Sequence, residues 1–238
     1  ASLYAMGYTT DEMLKLFKYF SKDIMKVDMK SYFSSIRASR KIISYGFISG
    51  ENIELAIEEC ARLKNMKKLQ DLKLPIVMPT VDIKENKKYV STNHENDDEF
   101  PEDTYLNKIS IGKAVRASAS YPGIFSPTMY EGHKFVDGGI IDNLPAHEVR
   151  KLGAEKVLSV RFSSKNNTDP KNLIEVGLKS VDLLFDQRTA AEVANSDLAL
   201  TLDLEEASVF NIKKIDYCYE QGYKCAIENM YKIKEIFK

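Results

Sequence analysis

Apolar residues recur at helical spacing in some stretches and crowd into short runs in others. Ala1–Gly7 reads as the last turns of a helix stopped by Gly7. Thr9-Thr10-Asp11-Glu12 has the form of a capping box, with Thr9 as N-cap and Glu12 at the third helical position. It opens a helix whose apolar positions are Met13, Leu14, Phe17 and Phe20. Ile53, Ala56, Ile57, Cys60 and Leu63 fall on one stripe and predict a helix over Glu51–Leu69. Further helices are predicted over Ser110–Ser120, from Pro145 to Leu152, and over Asn172–Asn195 and Asp216–Ile236. Leu74–Ile83 and Lys88–Thr92 predict a hairpin turned by Lys84–Lys87. Lys134–Val136, Lys156–Phe162 and Leu198–Leu204 predict single strands. Strands alternating with helices imply an α/β fold with a mostly parallel sheet covered on both faces.

Two stretches break the pattern. From Ser21 to Gly50, Met and aromatic residues alternate with Lys and Ser. The part from Ser21 to Phe47 reads equally as a cap over a site, a membrane-touching surface, or irregular core packing. His94–Glu102 is acidic and reads as a solvated loop.

Composition narrows the function. A chain of 238 residues is long enough for one domain with a sizeable core, and 44% hydrophobic residues exclude a disordered chain. The net charge of -1 argues against a global grip on nucleic acid. The longest uncharged run, Ala117–Tyr130, is cut by Pro122 and Pro127 and is too short to span a membrane. Cys60, Cys218 and Cys225 are odd in number and lack paired spacing, which argues against a disulfide framework and for a reducing, cytoplasmic setting. His94, His133 and His147 lack metal-ligand spacing, and the residues imply no metal or cofactor.

Candidate chemistry is sparse. A G-x-S-x-G elbow is absent, and Gly46–Gly50 comes close with its serine one place late. Ser110-Ile111-Gly112-Lys113 fits S-x-x-K, but the companion motifs S-D-N and K-T-G are missing, so Ser110 is expected to cap a helix. No phosphate-cradling glycine loop supports nucleotide or sugar-phosphate binding. The segment Phe135–Pro145 holds Asp137-Gly138-Gly139. It reads either as a strand, a tight turn and a helix start, or as an acid at a strand's C-terminal end, where open α/β sheets place active sites. The two glycines would let backbone crowd close to a substrate or partner. His133, four residues earlier, is a weaker candidate as a catalytic base and reads as part of an exposed turn. His147 is expected to be solvated, Asp142 and Asn143 to cap a helix, and Asp82 to be structural at a strand end.

Several of these segments together resemble the patatin-like phospholipase family in its bacterial form. Ala1–Thr9 resembles the helix after the family's nucleophile. Pro75–Asp82 is similar to its third strand region, Ala114–Phe125 to its helix and proline turn, and Phe135–Pro145 to its D-G-G/A block. The resemblance covers nearly the whole chain and weakens from Ser163–Asp169 onward. It implies a three-layer α/β/α patatin-like fold as a single domain over 1–238, and a Ser–Asp dyad without histidine. Asp137 takes the place of the dyad aspartate, and Gly138 and Gly139 complete its motif. The serine and the oxyanion loop of the family would lie upstream of Ala1, the serine about six or seven positions before it. The family's N-terminal strands are therefore expected to be missing from the chain. The expected activity is lipid acyl hydrolysis in a longer parent, with this chain alone inactive because nucleophile and oxyanion donors are absent. Expected partners are a phospholipid or other lipid ester, a peripheral membrane surface, and the chain's own N-terminal segment or a swapped copy. The alternative is a non-catalytic protein of the same fold that binds lipid or a partner.

Overall fold

The computed structural model describes residues 1–26, 46–94, 104–163, 169–204 and 212–238. In chain order its elements are α1 (Ser2–Ala5), α2 (Thr10–Ile24), β1 (Gly46–Ile48), α3 (Glu51–Leu63), β2 (Val77–Asp82), β3 (Lys87–Thr92), β4 (Thr104–Leu106), α4 (Ile111–Ser118), β5 (Gly123–Phe125), β6 (Thr128–Tyr130), β7 (His133–Asp137), α5 (Gly139–Asp142), α6 (Ala146–Lys151), β8 (Leu158–Ser163), α7 (Leu173–Val193), β9 (Leu198–Asp203), α8 (Ile215–Glu228) and α9 (Met230–Ile236).

The largest sheet has the order β4-β3-β2-β7-β6, and β1/β5 and β8/β9 form separate pairs. The α/β class is as the sequence predicts. The strands are mixed in direction: β1/β5, β3/β4 and β8/β9 run parallel, while β2/β3, β2/β7 and β6/β7 run antiparallel. Tight turns after β2 and β6 force antiparallel hairpins, whereas parallel pairs need a longer crossover.

Register fixes the two faces of the large sheet. Thr80 lies opposite both Tyr89 and Asp137, and Val81 opposite both Lys88 and Val136. With a side-chain period of two, Thr80, Asp82, Tyr89, His133, Phe135 and Asp137 share one face. Helix α4 covers it, packing Ala117 on Tyr89 and Phe135. Lys88 points to the other face, where it meets Asp142 at the end of α5 and Glu148 on α6.

Local chemistry explains the helix ends. Thr9 Oγ1 accepts from the Glu12 amide, and Glu12 Oε2 accepts from the Thr9 amide at 2.7 Å, completing the predicted capping box. Helix α3 ends six residues before the predicted limit. Asn65 turns left-handed (φ 58°), and a 3-10 turn at Leu69–Asp71 follows, held by the Asp71 carboxylate on the Lys67 and Lys68 amides. The predicted last helix divides at Asn229 into α8 and α9. The predicted Ser21–Phe47 surface and the His94–Glu102 loop lie mostly outside the described residues.

The main core joins Leu3, Met6, Cys60, Ala61, Leu69, Ile109, Ile111 and Ala114. Phe135 is fully buried in a second cluster beside the strand that carries Asp137. Phe135→Ala is expected to cost about 3–5 kcal/mol, against under ~0.5 kcal/mol for the exposed Phe17→Ala. Denaturant unfolding of the two variants measures both.

Candidate active site

Asp137 is the last residue of β7. Its amide donates to the Ser120 carbonyl (3.0 Å), and Thr80 Oγ1 donates to the neighbouring Val136 carbonyl (2.7 Å), so the strand end is pinned from two sides. The chain then turns directly into α5, and the Gly139 amide donates back to Asp137 Oδ1 (2.8 Å). Neither glycine of this turn has room for a side chain. A Cβ on Gly138 would lie 2.3 Å from the Pro79 carbonyl oxygen of β2, and one on Gly139 would lie 2.8 Å from the Phe185 ring of α7. Both glycines therefore admit close approach of this chain's own β2 and α7.

Burial pushes the Asp137 carboxyl up to about 6, against the opposing pull of the Gly139 amide. Among the described residues no cation pairs with it, and no serine hydroxyl is hydrogen-bonded to it. Ser120 supplies only its carbonyl to Asp137, because its buried hydroxyl is committed to the Arg116 carbonyl (2.7 Å) and Thr128 Oγ1 (3.0 Å). A carboxyl poised near 6 can exchange a proton close to neutral pH, the requirement for a general acid or base.

Helix α7 closes the turn from above. The Tyr121 hydroxyl donates to Asp182 Oδ1 (2.5 Å), and the Tyr121 ring meets Phe185 edge-on at 5.3 Å. Asn143 Nδ2 donates to Thr189 Oγ1 (2.7 Å). Burial and the Asp182 carboxylate keep the Tyr121 phenol protonated far above its ordinary range, and the charge of Asp137 adds to this. Pattern reading missed Tyr121 and Asp182, which are 61 residues apart and carry no shared local signal.

The other candidates resolve separately. Ser110 caps α4 by accepting from the Lys113 amide (3.4 Å), while the Lys113 ammonium pairs with Glu54. His147 is exposed. Asp142 and Asn143 do not cap α6, which starts after Pro145 without a side-chain cap. Instead Asp142 is buried against Lys88, with burial raising its carboxyl, and Asn143 reaches α7. His133 sits at the opposite end of β7 from Asp137, and its Nδ1 is 2.7 Å from Asp82 Oδ2. Asp82 is fully buried. Burial alone would raise its carboxyl, but hydrogen bonds from the Lys84 amide, His133 and the Lys134 amide hold it below the ordinary range.

A family model described as patatin-like phospholipase matches residues 1–150, the span that contains this turn. The chain belongs to the patatin-like phospholipase family. It is similar to an uncharacterized protein, R571, of Acanthamoeba polyphaga mimivirus, at 25% identity over 98% of this chain and 80% of that protein. Patatin-like phospholipase domain-containing protein 7 of Mus musculus is 32% identical over 44% of this chain. The lysophospholipase NTE1 of Meyerozyma guilliermondii is 40% identical over 24% of it. The matched stretches make up only 7% and 4% of those two proteins.

The raised carboxyl of Asp137 has a stability consequence. The native state keeps this proton to a higher pH than the unfolded chain does, so stability falls as pH rises from about 4 to about 6. Asp137→Asn keeps an oxygen for the Gly139 amide and removes the buried charge. It is expected to stabilise the fold at pH 7.5 by up to about 3 kcal/mol, and to give no gain at pH 4. Chemical denaturation at the two pH values measures this. Gly138→Ala is expected to destabilise by more than 2 kcal/mol at either pH, because the obstacle is backbone.

Proposed function

We propose that this chain carries the acid/base half of a Ser–Asp acyl hydrolase that acts on phospholipids or related lipid esters. The observation that carries this reading is Asp137, a recessed carboxyl at a strand end in the family-matched span, poised near 6 and oriented by the Gly139 amide. In this reading the attacking serine, on a G-x-S-x-G elbow, and the oxyanion donors come from residues that precede Ala1. The serine oxygen attacks the acyl carbonyl while its proton passes to ionised Asp137. The tetrahedral intermediate then collapses, and the leaving alcohol takes that proton. Asp137 then takes a proton from water as the water oxygen attacks the acyl-enzyme. As the ester bond to serine breaks, that proton passes to the serine oxygen and the fatty acid leaves.

Two surface features support the wider reading. Leu173, Val176, Leu183 and Leu184 of α7 are exposed, on the helix that covers the Asp137 turn, which suits contact with lipid. Among the described strands β8 pairs only with β9, and it exposes Val160 and Phe162. That surface suits a strand from upstream residues or from a swapped copy. The relatives named lysophospholipase make a single-chain lysophospholipid the first substrate to try.

The test uses two proteins, the 238-residue chain and a longer form that includes the preceding residues. The longer form is expected to take one fluorophosphonate label and to hydrolyse lysophospholipid with a rate that rises through about pH 6, as Asp137 ionises. Asp137→Asn is expected to lower kcat by about 10²–10⁴-fold in a folded protein. The 238-residue chain is expected to be inert. Turnover by that chain, or full activity of the longer Asp137→Asn form, contradicts the reading.

A further inference from the structure

At the end of β7 remote from Asp137, two turns bring together side chains that the sequence keeps far apart. Asp82 ends β2, Glu85 lies in the turn to β3, and His133 begins β7 after the Glu131–Gly132 turn. One ligand-type atom from each of the three lies within 4.8 Å of the others, a grouping met once among the described residues. We propose that Asp82, Glu85 and His133 bind one divalent transition-metal ion, with Zn²⁺ as the best-matched species.

Distances support an ion shared by all three. His133 Nδ1 lies 2.7 Å from Asp82 Oδ2 and 3.6 Å from Glu85 Oε1. Zinc bonds of roughly 2.0–2.2 Å in a tetrahedron place neighbouring ligands about 3.3–3.6 Å apart; the Glu85 distance falls in that range and the Asp82 distance is shorter. The ion would take the place of the Nδ1 proton, and the Nδ1–Oδ2 pair would open by roughly 0.6 Å to admit it.

The ligands are also held from behind, as metal ligands need to be. Asp82 Oδ1 accepts from the Lys84 amide (2.8 Å) and the Lys134 amide (3.3 Å), which leaves Oδ2 toward His133. Glu85 Oε2 accepts from the Tyr89 hydroxyl (2.6 Å), which leaves Oε1 toward His133. The imidazole lies nearly parallel to Phe135, 15° off at 5.4 Å, and against Tyr89 at 5.0 Å. The Lys84 ammonium is occupied with the Gly132 carbonyl at 3.3 Å.

Chemistry selects the metal. Two carboxylates and a neutral imidazole leave a charge of two to be balanced. Imidazole suits zinc-like ions, whereas Ca²⁺ and Mg²⁺ want more oxygen donors. Asp82 is fully buried, while Glu85 is about half exposed, so the ion has a way in and an open position for water. The site stands four residues along β7 from Asp137, about 13 Å at strand rise. Its role is therefore to clip the β2–β3 turn to the β6–β7 turn, independently of any acyl chemistry.

The test is calorimetric titration of Zn²⁺ into the metal-stripped 238-residue chain, with Co²⁺ absorption as a second readout. The expected result is one equivalent bound, a raised Tm, and visible cobalt bands typical of low-coordinate nitrogen and oxygen ligation. Glu85→Gln, which keeps an acceptor for Tyr89, is expected to weaken binding about 10–100-fold. His133→Gln is expected to abolish it, and Asp137→Asn to leave it unchanged. Absence of saturable one-equivalent binding overturns the proposal. So does binding that survives in both Glu85→Gln and His133→Gln, which would assign the ion to surface groups such as His94 or His147.

Discussion

The approach of Gly138 to the Pro79 carbonyl is the contact on which the site depends. Because no side chain stands between them, β7 can turn into α5 directly against β2. That leaves Asp137 at the strand end with its amide on Ser120, its carboxylate on Gly139, and α7 above. A wider turn would let water reach the carboxyl and return it toward ordinary acidity. Backbone packing and proton affinity are thus one property here, since the glycine that permits the turn also permits the burial.

The same strand organises both ends of the sheet. His133, Phe135 and Asp137 project from one face of β7, with Phe135 packed under α4 between them. One end presents a single carboxyl that no cation pairs with among the described residues. The other presents a carboxylate satisfied by two amides and an imidazole. Burial acts on both acids, and local hydrogen bonding decides the outcome: Asp137 rises and Asp82 falls. On the opposite face, Lys88 ties Asp142 and Glu148 to the sheet, anchoring the two helices that follow the turn.

The local part of this was legible in the sequence. Thr9 and Glu12 announced a helix start, Ser110 caps its helix as a short polar residue does, and Asp137-Gly138-Gly139 marked a strand end. Strands β1, β4, β5 and β6, three residues each, are too short to leave an alternating pattern. Asp142 looked like a cap because it precedes a helix, yet its partner is 54 residues away. His133 looked like an exposed turn residue because its neighbours Glu131, Gly132 and Lys134 are polar or turn-forming, with Asp82 lying 51 residues distant. The Tyr121–Asp182 bond likewise needs the folded sheet before it exists. What remained hidden was long-range polar pairing, which follows from topology and not from neighbouring residues.

The central claim is that the turn around Gly138 holds Asp137 as a proton-exchanging carboxyl near neutrality. Carbon-13 NMR titration of the aspartate side-chain carboxyls, with Asp137 assigned by comparison with Asp137→Asn, tests it most directly. The account predicts a midpoint near 6 for Asp137. A midpoint near 4, the value of a solvated aspartate, would contradict it.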